Sequence, residues 1–261
     1  MILPTGVPPG GICLRDAGRM HRRFTGKFGN CAHFHVMSRV AGGAMLFGDE
    51  EKEQFRYYMR VYEQFCQVRV LAFCVMSNHF HILLEVPSPP EGRGRDWSDE
   101  KLLEHLSCLY APRDLAEIRW KLEHFRTQKN QRAAEAYRES FLCRMWDLSQ
   151  FMKTLKQRFA RWFNTQRGRH GTLWEERFKS VLVEDGHAAR TVAAYIDLNP
   201  VRAKMVEDPQ DYRWSSYGEA MAGMKRAREG IQRVMFESTS AWNGEEQAAE
   251  LLMDSIVACS T

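Results

Sequence analysis

Two histidines one residue apart, His79 and His81, have the spacing of a metal-binding pair. The segment after Asn78 is apolar and rich in residues that favour β-strands, so it is predicted to form a buried strand. Because side chains alternate between the two faces of a strand, both imidazoles point the same way. Two neighbouring imidazoles can hold one divalent ion. The alternative is a pair of histidines that are hydrogen-bonded in the core or lie on a solvated sheet face.

A second pair with the same spacing, His33 and His35, lies in residues 31–40, which are predicted to form the first strand. By spacing alone it competes with the first pair for a metal ion. We interpret it as a pair of first-strand residues.

Tyr195 and Asn199 are four residues apart in a predicted helix, so their side chains share a face. The amide oxygen of Asn199 could complete a metal site begun by His79 and His81, with Tyr195 beside it. The structural alternatives are an asparagine that caps the next short helix before Pro200 and a half-buried helical tyrosine. From the spacing alone, these structural roles are the better interpretation.

Positive charge is concentrated in an amphipathic helix predicted over residues 148–164 and in the segment that follows it. Such charge suits contacts with nucleic-acid phosphates, which set affinity without reading sequence, although a basic helix face can also be merely solvated. The residues predicted to contact nucleic acid are Lys153, Lys156, Arg158, Arg161, Arg177 and Lys179.

The elements that must position these residues follow from hydrophobic periodicity. Strands are predicted over residues 31–40, 68–74, 79–86 and 171–184, and helices over 49–65 and 148–164, with a further helix from about residue 187. The order strand, helix, strand, strand, helix, strand indicates an α+β, ferredoxin-like antiparallel sheet with helices packed on one face.

The predicted organisation has four parts. Residues 1–30, with scattered proline, glycine and charge, are predicted to be a poorly ordered arm. The main domain spans residues 31–217, with a charged helical insertion at about 88–147, and residues 218–261 form a C-terminal helical tail.

Bulk composition narrows the class of protein. The chain has 261 residues, 44% of them hydrophobic, which supports a sizeable core, and a formal charge of +4 permits nucleic acid as a partner. None of the seven cysteines pairs with another at the two-residue gap of a zinc knuckle, so reduced thiols in a cytoplasmic protein are expected. No apolar run approaches about 18 residues, so neither a signal peptide nor a membrane span is predicted.

Four motifs occur in order along the chain: MSNHFHIL at 76–83, KTLKQRF at 153–159, GTLWEERF at 171–178 and YIDLNPVRA at 195–203. Together they resemble the REP-associated tyrosine transposases, relatives of the single-tyrosine HUH transposases of the IS200/IS605 type. The resemblance runs from about residue 32 to 217 and excludes most of residues 97–146. It implies an HUH endonuclease fold.

The resemblance also implies roles for individual residues. His79 and His81 correspond to the metal-binding pair, Tyr195 to the nucleophile, and Asn199 to a polar third metal ligand. The implied activity is cleavage and rejoining of single-stranded DNA at hairpin-forming palindromes, such as REP elements, through a 5′-phosphotyrosine link and a free 3′-hydroxyl. Imidazole and amide ligands on an open site suit Mg²⁺ or Mn²⁺.

Asp197 departs from the family pattern, because relatives usually carry histidine at this position of the tyrosine motif. Two other functions stay open: a catalytically idle regulator that binds DNA or RNA hairpins, and a relaxase or replication-initiator type of nicking enzyme. The sequence leaves the choice between monomer and homodimer undecided.

Overall fold

The computed structural model describes residues 31–184 and 186–235, so the predicted N-terminal arm and the end of the predicted C-terminal tail lie outside the described residues. The strands are β1 (Cys31–Arg39), β2 (Arg69–Val75), β3 (His79–Pro87) and β4 (Lys179–Val183). The longer helices are α1 (Asp49–Cys66), α2 (Asp99–Leu106), α3 (Pro112–Thr127), α4 (Gln131–Leu142), α5 (Leu148–Gln166), α6 (Gly186–Asp197) and α9 (Lys225–Met235). Two short helices, α7 (Asn199–Arg202) and α8 (Ser216–Met221), lie between α6 and α9.

The four strands form one antiparallel sheet in the order β2-β3-β1-β4. With α1 between β1 and β2 and α5 before β4, this is the ferredoxin-like arrangement, and the predicted α+β fold class is confirmed. Strand β1 alternates strictly between buried residues and half-buried ones until it reaches exposed Arg39. Strand β3 is buried almost throughout, because helices cover it on both sides.

Helices α1 and α5 pack on one face of the sheet and enclose its aromatic core. Phe80 of β3 lies against Phe55 of α1, with ring centroids 4.5 Å apart, and Phe55 contacts Phe159 of α5 at 5.2 Å. All three side chains are fully buried. Since neighbouring strand residues point to opposite faces, His79 and His81 lie on the other side of the sheet from this core.

Helix α6 covers that other side by packing against β2 and β3, and α9 packs against β2. The orientation of α6 is fixed by its last residue, Asp197, which is completely buried. Asp197 accepts hydrogen bonds from Ser216 Oγ (2.8 Å) and from the Tyr217 backbone N–H (3.0 Å). Ser216 Oγ also accepts from the backbone N–H of Phe73 in β2, at 2.9 Å. The aspartate that departs from the family pattern therefore connects α6 to the sheet and points away from Tyr195.

The fourth strand is shorter than predicted, since only Lys179–Val183 of residues 171–184 pairs continuously. The backbone of Trp174 makes one isolated bridge to Val40 and does not continue as a strand. The Trp174 ring packs between those of Phe80 and Phe159. The helical character predicted between residues 97 and 146 is confirmed by α2, α3 and α4. Within the described ranges no helix is long and apolar enough to cross a membrane.

Candidate functional site

Three histidines meet on the α6 side of the sheet. In the β1–β3 ladder Met37 lies opposite His81 and His35 lies opposite Leu83, so His35 and His81 are diagonal neighbours on one face. His35 Nε2 and His81 Nδ1 are 3.0 Å apart, and the two rings stack with centroids separated by 5.2 Å. The ring of His79 lies edge-on to His81 at 5.1 Å.

His79 is oriented by a relay of hydrogen bonds from the preceding residue. Asn78 Nδ2 donates to the Gly43 carbonyl at 2.8 Å, which directs the amide oxygen of Asn78 toward His79 Nδ1, 2.6 Å away. An amide oxygen can only accept, so Nδ1 of His79 carries the proton and Nε2 offers a lone pair. Histidines that ligate metals are commonly held by such a hydrogen bond on the other ring nitrogen.

Burial keeps the histidines of this group neutral. Desolvation lowers the pKa of His35, and it lowers the pKa of His79 with a further contribution from the charge of Arg39. For His81, burial and then the neighbouring His35, His79 and Arg39 lower the pKa to about 3. A neutral imidazole is the form that binds metal, so protons do not compete for these nitrogens near neutral pH.

Tyr195 of α6 lies directly over these histidines. Its ring is edge-on to His81 at 5.8 Å and to His35 at 6.2 Å. Ala193 of α6 is buried in the core that includes the strands, and such a small side chain lets α6 approach the sheet closely. Tyr195 itself is 38% exposed, so an incoming substrate can reach it from solvent.

Asn199 closes the C-terminal end of α6. Its Nδ2 donates to the carbonyls of Tyr195 (2.9 Å) and Ile196 (3.2 Å). The residue preceding α7 is Leu198, with no side-chain cap, so the interpretation of Asn199 as an N-cap for the next helix is wrong. The two bonds use only the amide nitrogen, and Oδ1 of Asn199 takes no part in them.

The predicted metal ligands supply donor atoms of the right chemical type. These are Nε2 of His79, the ring nitrogen of His81 that does not face His35, and the amide oxygen of Asn199. Two neutral imidazoles and an amide oxygen form a mixed N/O set of the kind that binds Mn²⁺ or Mg²⁺. His35, which sequence reasoning left outside the site, supports His81 from the neighbouring strand. The signal for it was the second His-x-His spacing combined with an antiparallel β1–β3 pair.

A separate group, Cys31, His33 and Glu85, has potential ligand atoms within 4.8 Å of one another and could also hold a metal ion. The Glu85 carboxylate already forms ion pairs with Arg69 and Arg233, and His33 Nε2 lies 3.5 Å from it. Burial acts to raise the pKa of Glu85, but hydrogen bonds from His33, Arg233 and Arg69 and the charge of Arg233 bring it to about 2. A cation here would have to displace guanidinium groups, so we interpret the group as an ion-pair cluster.

The predicted nucleic-acid contacts divide between the two faces of the sheet. Helix α5 lies on the side opposite Tyr195, where Lys153 and Arg161 are exposed and Arg158 packs over the Tyr58 ring at 5.5 Å. Lys156 is buried and donates from Nζ to the Glu176 carbonyl at 2.9 Å. Desolvation lowers the pKa of Lys156 to about 8.

Lys179 lies on the histidine side of the sheet, because it pairs with Met37 in the β1–β4 ladder. It is exposed and forms an ion pair with Glu176 at 2.9 Å, of a solvated kind that contributes little to stability. Arg177, two residues earlier, is also exposed. Of the six predicted contacts, Lys179 is therefore the one whose strand position places it on the same face as His81.

Two arginines that the sequence did not single out border the three histidines and Tyr195. Arg39 lies opposite His79 in the β1–β3 ladder and is exposed. Arg202 of α7 lies over the Tyr195 ring, with Cζ 4.9 Å from the ring centroid.

No protein-family model matches this chain, and no curated protein matches it. Among solved structures, the chain is similar to a REP-associated tyrosine transposase bound to a REP hairpin, with 13% sequence identity and a TM-score of 0.47 over 78% of this chain and 86% of that one.

Proposed function

We propose that this protein is a metal-dependent nuclease and strand transferase that acts on single-stranded DNA at hairpin or palindromic repeats, with Tyr195 as its nucleophile. The observation that carries the proposal is the position of the Tyr195 ring, 5.8 Å from that of His81 and open to solvent. Packing of the core does not require a partly exposed tyrosine of a helix to lie over two neutral histidines of the sheet.

His79, His81 and Asn199 would hold the ion, which supplies Lewis-acid polarisation of a phosphate oxygen. Tyr195 Oη then forms a bond to phosphorus while the P–O3′ bond breaks. The phenol loses its proton to water and the departing 3′ oxygen takes one up. The products are a 5′-phosphotyrosine and a free 3′-hydroxyl, and because the ester bond is conserved, rejoining needs no nucleotide cofactor.

The chain's own residues would set the geometry of this step. The Asn78 relay fixes His79, the hydrogen bond to His35 fixes His81, and Asn199 holds the last turn of the helix that carries Tyr195. Preorganised groups of this kind lower the barrier because they need no rearrangement during the reaction.

The test is incubation of the full-length chain with a labelled single-stranded DNA hairpin and Mn²⁺, followed by denaturing electrophoresis. We expect a covalent protein–DNA adduct with the wild type, none with Tyr195→Phe, and none when the metal is chelated. Equal cleavage by wild type and Tyr195→Phe would refute the nucleophile assignment. Salt-sensitive binding without an adduct under any metal would indicate instead an idle hairpin-binding regulator.

A further inference from the structure

Several arginines of the described residues are held by carboxylates. Arg56 and Arg60 pair with Glu219, and Arg167 pairs with Glu51. Within residues 31–184 and 186–235, by contrast, Arg39 and Arg202 form no ion pair, although both border the three histidines and Tyr195. An exposed guanidinium next to a reactive group, with its charge uncompensated, has its donors available to an anion.

Arg202 is placed by the continuation of α6 into α7. Leu198 N–H donates to the Ala194 carbonyl and Arg202 N–H donates to the Leu198 carbonyl, both at 3.0 Å, and the backbone of Leu198 is helical. Arg202 therefore lies about two turns after Tyr195 on the same side of the helix, with Cζ 4.9 Å from the ring centroid. A cation over an aromatic face is attracted by the ring quadrupole, so the contact holds both groups in place. The stacked guanidinium keeps its N–H groups at its edge, where they can donate to a ligand beside the tyrosine.

Arg39 is placed by a rigid strand end. Its carbonyl accepts from Glu175 N at 3.0 Å, and the next residue, Val40, donates from its backbone to Asn78 O at 2.8 Å. The backbone is therefore fixed on both sides while the side chain is exposed next to His79. Arg39 thus approaches His79 from β1, and Arg202 approaches Tyr195 from α7.

The charges on this face favour a phosphodiester as the ligand. Lys179, on the histidine side of the sheet, is paired with Glu176, and Glu85, on the same face, is neutralised by Arg69 and Arg233, so neither group offsets the positive charge of Arg39 and Arg202. Guanidinium groups bind phosphate oxygens through paired, charge-assisted hydrogen bonds. The aromatic ring of Tyr195 between them offers a surface for a sugar or base.

We propose that Arg39 and Arg202 form a binding site for backbone phosphates of single-stranded DNA, and that the phosphate they hold is the one attacked by Tyr195. The second half of this inference rests on the proposed nuclease function, whereas phosphate binding does not. It also assigns the DNA path to the α6 side of the sheet, away from the exposed face of α5.

Phosphate binding is tested in the full-length Tyr195→Phe chain, which keeps the aromatic ring but cannot react. The probe is a fluorescein-labelled DNA hairpin with a single-stranded 5′ extension, and its dissociation constant is measured by anisotropy over a range of NaCl concentrations. Each lost phosphate contact lowers the slope of log K against log salt by about 0.7 for single strands. We expect that reduction for Arg39→Ala and for Arg202→Ala, and a slope close to the parent for each Lys variant, which keeps the charge.

The matched control is Arg132→Ala on α4, which removes one exposed positive charge far along the chain from the site. If Arg39→Ala and Arg202→Ala give the slope of Arg132→Ala, the phosphate site is refuted. Equal thermal unfolding of all variants by circular dichroism excludes misfolding as the cause of a changed slope.

The position of the bound phosphate is tested with Tyr195 intact. At saturating DNA, we expect the single-turnover rate of adduct formation to fall by about 10²–10³-fold in each Ala variant, the effect of removing one transition-state donor, with partial rescue by Lys. Reduced salt slopes with unchanged rates at saturation would refute the assignment to the reacting phosphate. If the wild type forms no adduct, the nuclease proposal fails, and the salt slopes still decide whether the arginines bind phosphate.

Discussion

Glu85→Gln removes a carboxylate that connects three parts of the fold. Glu85 of β3 is 1% exposed and forms ion pairs with Arg69 of β2 and Arg233 of α9. Despite the cost of burial, hydrogen bonds and the charge of Arg233 lower its pKa from 4.5 to about 2. A difference of about 2.5 in pKa corresponds to about 3 kcal/mol of stability. Because both arginines are half-exposed and therefore partly screened by solvent, we expect Gln to lower the free energy of unfolding by about 2 kcal/mol near pH 7.

The difference in unfolding free energy between wild type and Glu85→Gln should depend on pH in a definite direction. A carboxyl group whose pKa is depressed by folding stabilises the protein at pH values above its unfolded pKa, which is 4.5 for this glutamate. That contribution is lost as the pH falls from this value through the folded pKa of about 2. The difference in stability between wild type and Glu85→Gln should therefore be full at pH 7, begin to shrink below about pH 4.5, and become small near pH 2.

The assay is urea denaturation of both chains at pH 7, 4 and 3, followed by circular dichroism. An unchanged m-value is required for the midpoints to report stability alone. A difference between the two chains that stays constant from pH 7 to pH 3 would mean that the ionised carboxylate is not what stabilises this cluster. The reasoning would then be refuted, and the loss would have to be attributed to packing.

Two further substitutions test the site and the helix that supports the sheet. Asn78→Ala removes the hydrogen bond that fixes His79, so we expect the Mn²⁺ affinity, measured by calorimetry, to fall by about 10–100-fold. The control is Asn130→Ala, which removes a helix cap remote in sequence and should leave the affinity unchanged. Equal affinities in both variants would contradict the role of Asn78 in orienting His79. Gly230→Ala in α9 would bring a methyl group within 2.6 Å of the Leu71 carbonyl, a backbone atom that cannot turn aside, so we expect a loss of about 1–3 kcal/mol in urea denaturation. Glu229→Ala, on the exposed side of the same helix, is its control, and a similar small effect of both substitutions would show that α9 can shift without cost.

The sequence alone determined the features that depend on local periodicity. Alternation along β3 places His79 and His81 on one face of the sheet, and the apolar stripe containing Phe55 identifies the buried side of α1. The order of strands and helices was sufficient to predict the ferredoxin-like sheet, because that topology follows from which elements are neighbours in the chain.

The tertiary structure decided everything that depends on register and on the two sides of the sheet. His35 joins His81 only because the β1–β3 register makes them diagonal neighbours. The basic charge of α5 was visible in the sequence, but its packing on the side opposite Tyr195 was not, since a helical stripe identifies the buried side of the helix and not the face of the sheet that receives it. Arg202 follows Tyr195 by seven residues, a spacing that puts both on one side of a helix, but only the structure shows that the helix continues past Pro200 far enough to keep them together. The resemblance of four motifs, more than their spacing, therefore selected the candidate site residues, and through-space packing decided which groups surround them.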